Sequence, residues 1–311
     1  MLLRPKDYIT IEDKLFFAVV SDIQEDERAL TFLRYVKDGK DMRKLNTEQA
    51  QQYIRDAYPE LVFHSQSADI DLHGIPLKSI KQVYKPEDTV TSLLKISSPD
   101  KKQQDAIKLI NLMIDAGIDR NNIGITGSLM LNSHNIESDI DMVIYGRENF
   151  FKTRDLIKQY IKTGELSNLD KPDWENAWQR RDCDLDLDEY IKHEKRKLNK
   201  CVCGDTRIDF TMIPVTGESV MESGPFKKLG RKTITATVID DTFAFDFPAR
   251  FYTDHDSIEE IVIYTATYIG QAEKDEKIEA RGYVEEDPEG NRRLVVGTSR
   301  EATGEYIRII E

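Results

Sequence analysis

The chain has 311 residues, 39% of them hydrophobic and 32% charged, with a formal net charge of −13. That length allows two or three compact domains with a sizeable core, and the composition is ordinary for a globular protein. The acidity argues against a protein that coats nucleic acid nonspecifically, because phosphate contacts need a basic surface, though a local basic stripe stays compatible with it. No apolar run reaches the length of a membrane span, and the N-terminus lacks the apolar core of a signal peptide. Three cysteines, Cys183, Cys201 and Cys203, do not make a disulfide framework in a chain this long. The expected setting is cytoplasmic, with no membrane partner.

Residues 1–97 are expected to form an N-terminal α+β domain. A hairpin over residues 8–11 and 15–20 turns at Glu12 and Asp13, and a strand over 29–36 closes at Gly39. Residues 47–57 predict a short helix capped by Thr47. Strand character resumes at 61–64 and 69–72. Asp69 and Asp71 form an Asp-x-Asp pair, but no Gly-Ser turn precedes them, so a solvated strand edge is the expectation there.

Ser98-Pro99-Asp100 marks a helix start, with Ser98 as cap and Pro99 at the first helical position, where a missing N–H costs nothing. Ala106, Leu109, Ile110 and Met113 make one apolar stripe, and Gly117 stops the helix. A strand over 123–126 then delivers Gly127-Ser128, and a polar excursion leads to Ser138-Asp139-Ile140-Asp141 and an apolar strand ending at Tyr145. Aspartates at i and i+2 of a strand leave from the same face. Two adjacent carboxylates repel unless a hard cation such as Mg2+ or Mn2+ joins them. A Gly-Ser turn offers backbone N–H groups and a hydroxyl to phosphate oxygens. A metal pair beside a phosphate cradle is a nucleotide site.

Gly127-Ser128, ten residues, then Asp139-x-Asp141 resembles the signature of the DNA polymerase beta-like nucleotidyltransferase superfamily, over roughly residues 98–215. The resemblance implies a catalytic domain over 98–216 with a central mixed sheet and a third carboxylate on a later strand, for which Asp209, in Arg207-Ile-Asp209-Phe, stands in alternating strand context. It implies Mg2+ or Mn2+ held by Asp139, Asp141 and Asp209, with Gly127 and Ser128 on the outer phosphates of an NTP such as ATP. An acceptor hydroxyl would attack the α-phosphate in line, with release of pyrophosphate. An RNA end is the expected acceptor, with a protein side chain or a small molecule as others. The alternative is a nucleotide- or RNA-binding regulator that keeps the fold without turnover.

Residues 147–163 predict a helix burying Phe150, Leu156, Ile157, Tyr160 and Ile161, and Trp174 and Trp178 predict a packing face. Residues 185–200 predict an amphipathic helix with Lys192, Arg196 and Lys200 every fourth residue. Its segment 190–200 is similar to a basic stretch in a subgroup of predicted nucleotidyltransferases, so Arg196 and Lys197 are expected at the nucleotide phosphates. His134 is expected to be a polar surface residue. Cys201 and Cys203 with His193 fall short of the two spaced pairs a structural zinc site uses, and buried thiols are the expectation. Gly217, Gly224 and Gly230 mark a linker. Residues 217–311 then predict a β-rich barrel or sandwich, with strands over 233–238, 243–247, 260–268, 277–285, 292–297 and 306–310 and a hairpin turn at Pro288-Glu-Gly290-Asn291. An OB-like module is the architectural analogy. The fold class expected is α+β: a nucleotidyltransferase-type sheet between an N-terminal α+β unit and a β-rich C-terminus.

Overall fold

The computed structural model describes residues 2–39, 41–66, 70–218, 225–298 and 302–310. The chain is mixed α+β and divides into two compact units, residues 1–145 and 146–311. The sequence expectation placed its boundaries at 97 and 216; the contacts place one at 145. Among the described residues no helix is long and apolar enough to cross a membrane.

The first unit begins with an antiparallel sheet of seven strands: β1 (Tyr8–Ile11), β2 (Leu15–Glu25), β3 (Arg28–Asp38), β4 (Asp41–Lys44), β5 (Val62–Ser65), β6 (Ile70–Pro76) and β7 (Gln82–Tyr84). Their order is β5-β6-β3-β2-β1-β7, with β4 on β3. Ile9, Leu15, Phe17 and Leu33 point to one face and bury with Ala50 and Ile54 of α1 (Thr47–Ala57). The cap of α1 is Asn46, one residue before the expected Thr47. Gln49 N donates to the Asn46 side chain at 2.8 Å, and Asn46 N donates back to Gln49 Oε1 at 3.1 Å. Asp69 lies outside the described residues, and Asp71 pairs with His64 at 3.0 Å.

Three helices and a hairpin complete this unit: α2 (Pro86–Leu93), α3 (Lys101–Asp115), β8 (Ile123–Thr126), α4 (Gly127–Met130) and β9 (Ile140–Tyr145). The short helix α2 was not anticipated, because eight residues with two threonines carry little periodic signal. Asp100, not Ser98, caps α3, through a reciprocal pair of bonds with Gln103 at 3.0 Å each. The buried stripe of α3 is the expected one, Ala106, Leu109, Ile110 and Met113. Gly124 is obligatory on β8: a Cβ there would come within 2.5 Å of Pro86 on α2.

The second unit holds α5 (Arg147–Thr163), α6 (Lys171–Arg181), α7 (Leu187–Lys197) and the hairpin β10 (Lys200–Cys203) to β11 (Thr206–Ile213). Trp174 is buried, and the Trp178 indole donates to Leu185 O at 2.8 Å, so both tryptophans serve packing. Six strands follow: β12 (Lys227–Asp240), β13 (Ala249–Thr253), β14 (Glu260–Ile263), β15 (Lys277–Glu286), β16 (Arg292–Val296) and β17 (Tyr306–Ile309). The pairing runs β12-β13-β14-β16-β15 and returns from β15 to β12, which closes a five-stranded barrel; β17 adds to β15 outside the ring. β14 and β16 are parallel and the other pairs antiparallel. Gly282 makes the closure possible, since a Cβ there would run into the Val295 carbonyl.

The expected strand over 243–247 is instead a turn segment. Its aromatic residues pack against α5: Phe245 meets Phe150 at a 5.1 Å centroid distance, and Arg147 lies 4.6 Å over Phe243. Arg147 also grips Asp246 through two bonds, at 2.8 and 2.6 Å. Among the barrel strands the sequence expectation lacks β13. Gly224 of the expected linker lies outside the described residues.

Candidate metal and nucleotide site

Within the first unit, the β8–β9 hairpin puts the predicted elements side by side. Thr126 stands opposite Asp141 in register. The chain then turns at Gly127 with φ +71°, a left-handed conformation that glycine adopts without penalty. The bareness of that α-carbon matters too: a Cβ on Gly127 would lie 2.6 Å from Asp141 Oδ2. The Asp141 carboxylate therefore rests in a cradle that a side chain would fill. Asp139 is half-buried two residues earlier, immediately before β9, and Ile140 and Met142 between and beyond are fully buried. Asp141, the second residue of β9, is likewise half-buried. Ser128 follows the turn, half-buried.

The excursion between turn and strand is fastened at several points. Ser133 N donates to Ser128 O at 2.9 Å, and Asn135 N donates to Ser138 Oγ at 3.0 Å. His134 Nε2 lies 2.8 Å from Asp100 Oδ2. His134 is thus a tether to the first turn of α3 rather than a bare surface residue. Partial burial raises the Asp100 carboxyl, but the Gln103 N–H and His134 outweigh it and hold the group below its usual range.

Sequence reading left the residues behind the site unrecognised. Thr126 Oγ1 donates to Lys6 O at 2.8 Å, so the segment entering β1 is tied to the turn. Met130 and Leu131, just past Ser128, pack on Tyr8, Phe16 and Tyr35 of the large sheet. Tyr8 and Tyr35 lie ring to ring at 6.1 Å. Burial pushes the Tyr35 hydroxyl up to about 12, with the Asp141 charge adding to it, and the Tyr8 hydroxyl rises for the same two reasons, with Tyr35 beside it. Both phenols stay protonated against the carboxylate. A contact more than a hundred residues apart in sequence has no local pattern, so no motif could have disclosed it.

The donor set suits a hard divalent cation. Among the described residues no group of three His, Cys, Asp or Glu side chains is gathered to hold a metal ion. Mg2+ in nucleotide sites is commonly held by one or two carboxylates, with phosphate oxygens and water supplying the rest. Asp139 and Asp141 match that pattern.

The remaining predicted residues belong to the second unit. Asp209 is half-buried on β11, opposite Lys200 of β10. Arg207 pairs with Asp173 at 3.0 Å. The expected helix ends at Lys197, with Leu198 left-handed, so Lys200 belongs to a strand and not to a helical stripe. Lys197 is 1% exposed, and its ammonium donates to Glu194 at 2.5 Å and to Thr267 O at 2.6 Å. This places Lys197 in an interior ion pair instead of at an open phosphate-binding surface. Arg196 reaches Glu276 at 2.5 Å and Glu273 at 3.6 Å. Glu194 is buried, yet Lys197 and Lys200 together hold its carboxyl low; burial lowers Lys197. Cys201 and Cys203 are buried, and burial pushes the Cys201 thiol up.

The uncharacterized protein MJ1086 of Methanocaldococcus jannaschii is 31% identical to this chain over 339 aligned positions, which cover 99% of each protein. No protein-family model matches the chain, and no solved structure matches it.

Proposed function

The chain belongs to one family with that archaeal protein along its whole length, and from the hairpin site we propose that it is a metal-dependent nucleotidyltransferase. The enzyme moves a nucleoside monophosphate from an NTP to an acceptor hydroxyl, an RNA end foremost. The observation that carries this reading is the bare Gly127 α-carbon against the Asp141 carboxylate, with Asp139 two residues earlier in the chain. A strand, a glycine turn and two carboxylates would serve a cation and the phosphates of a nucleotide.

Asp139 and Asp141 would hold Mg2+ or Mn2+. When bound, the ion neutralises triphosphate charge and favours the ionised acceptor hydroxyl. Ser128 Oγ and the N–H groups of the turn bind the outer phosphates. The acceptor oxygen forms a bond to the α-phosphorus and its proton passes to solvent. The bond to the bridging oxygen breaks, and pyrophosphate leaves with that electron pair. The tethers of the excursion, His134 to Asp100 and Thr126 to Lys6, keep the carboxylates oriented. Asp209 is the carboxylate that the superfamily resemblance assigns to the acceptor side.

The test is incubation with each α-labelled NTP, Mg2+ or Mn2+, and total RNA, beside a reaction without RNA. Label on RNA in the wild type, lost in Asp139→Asn with Asp141→Asn at unchanged circular dichroism, is the expected result. Transfer retained by that double variant overturns the mechanism. NTP binding with no labelled acceptor of any kind transfers the protein to the non-catalytic regulator.

A further inference from the structure

The geometry points to a single-stranded RNA platform on the outer face of β12, β15 and β17. Ile234, Ala236 and Val238 of β12, Ile278, Ala280 and Val284 of β15, and Ile307 of β17 are buried toward the barrel. The alternate positions face outward. They read Arg231, Thr233, Thr235 and Thr237 on β12, Lys277, Glu279, Arg281 and Tyr283 on β15, and Tyr306 and Arg308 on β17.

Register arranges these residues in rows. Arg231 stands opposite Tyr283, Thr233 opposite Arg281, and Arg281 opposite Tyr306. The next row is Thr235, Glu279 and Arg308. Guanidinium groups lie on the aromatic faces: Arg231 is 5.0 Å over Tyr283, and Arg308 is 4.5 Å over Tyr306. Four cations against one acid is the reverse of a chain whose net charge is −13. The acids on and beside this face are engaged: Glu279 accepts from Tyr306 at 2.8 Å, Glu189 lies 3.5 Å from Arg308, and the buried Glu285 pairs with Arg293 at 2.9 Å.

Charge complementarity selects a polyanion, and the interleaved tyrosines select one with unstacked bases. Aromatic rings take bases of any sequence, while arginines track the backbone. The threonine row supplies hydroxyls that both donate and accept, which suits a ribose 2′-OH. A duplex offers no base faces, and a tract of aspartates and glutamates offers no rings to stack on. The proposal rests on the transferase reading only for naming RNA as acceptor; binding to the platform is independent of turnover.

The experiment is fluorescence anisotropy of a labelled single-stranded RNA against the full chain over a salt series. The probe is a 12-nucleotide oligomer of mixed sequence. Arg231 and Arg281 on the backbone give a log–log salt slope of about −1.4. Arg281→Glu weakens binding about tenfold or more and flattens that slope, while Arg281→Lys keeps most of it. Tyr283→Ala weakens binding by a similar factor without changing the slope. Wild-type affinity, within twofold, in both Arg281→Glu and Tyr283→Ala overturns the platform. Equal affinity for the same DNA oligomer overturns the choice of RNA, and equal affinity for poly-glutamate overturns recognition of bases. Asp139→Asn with Asp141→Asn binds the probe as wild type does. RNA binding that depends on Arg281, with no transfer, refutes the transferase alone; transfer that ignores the platform variants refutes the platform alone.

Discussion

Replacing Gly127 by alanine separates the cost to the fold from the cost to the site. At φ +71° a side chain costs about 1–2 kcal/mol in backbone strain. The new Cβ also falls 2.6 Å from Asp141 Oδ2, about 0.8 Å inside ordinary van der Waals contact. A carboxylate on a short side chain relieves that clash by rotating, so the collision adds little to the folding penalty. The proposed metal site would lose more than the fold, because Asp141 would rotate off the Gly127 α-carbon. The melting temperature should fall by about 2–8 °C, whereas Mn2+ affinity, measured by electron paramagnetic resonance or calorimetry, should drop on the order of ten- to hundredfold, and transfer with it. Gly164→Ala is the control, since its φ is +91° and its surroundings are open. That variant should lose stability and keep Mn2+ binding. Gly127→Ala with Mn2+ affinity and transfer within twofold of wild type would refute the cradle.

Three further outcomes test the packing around the two units. Glu194→Gln leaves two ammonium groups without their shared carboxylate, one of them fully buried; urea denaturation should register a loss of about 3–5 kcal/mol. Asp7 is buried beside Arg4, Glu87 and Lys85, and burial raises its carboxyl to about 6. A carboxyl raised in the folded state contributes stability when protonated, present below about pH 4 and lost as pH rises through 6. Asp7→Asn should therefore gain about 3 kcal/mol over wild type at pH 7 and little at pH 4, and equal differences at both pH values would dismiss this assignment. Gly282→Ala forces a Cβ against the Val295 carbonyl, so the barrel should open or shift register, read as a lower melting temperature of the second unit.

Local signals in the sequence were informative wherever a pattern is short. The helix over 147–163, the stripe of α3, and the strand-turn-strand carrying Gly127, Ser128, Asp139 and Asp141 follow from periodicity and turn chemistry. Caps were misplaced by one or two residues at Asn46 and Asp100, because several polar residues in a row can each cap a helix. Residues 243–247 alternate aromatic and small like a strand, yet α5 offers their rings a better surface than a sheet neighbour would. Lys197 was expected at the nucleotide phosphates; only the fold reveals that Glu194 and Thr267 O take its ammonium. Tyr8 and Tyr35 behind Asp141 were illegible for a different reason, since nothing near them in sequence refers to β9.

The return of β12 to β15 has a bearing on solubility. A strand with both edges hydrogen-bonded cannot recruit a foreign strand, so ring closure removes the templates through which β-rich chains aggregate. Among the described residues, β17 is where the pairing path ends, its partner β15 on one side alone. It is four residues long and carries Arg308, and a brief, charged edge is a poor seed for cross-β growth. Shortening the chain before β17 would trade that guarded rim for the exposed flank of β15 at residues 278–281, and with it the safety of the barrel at high concentration.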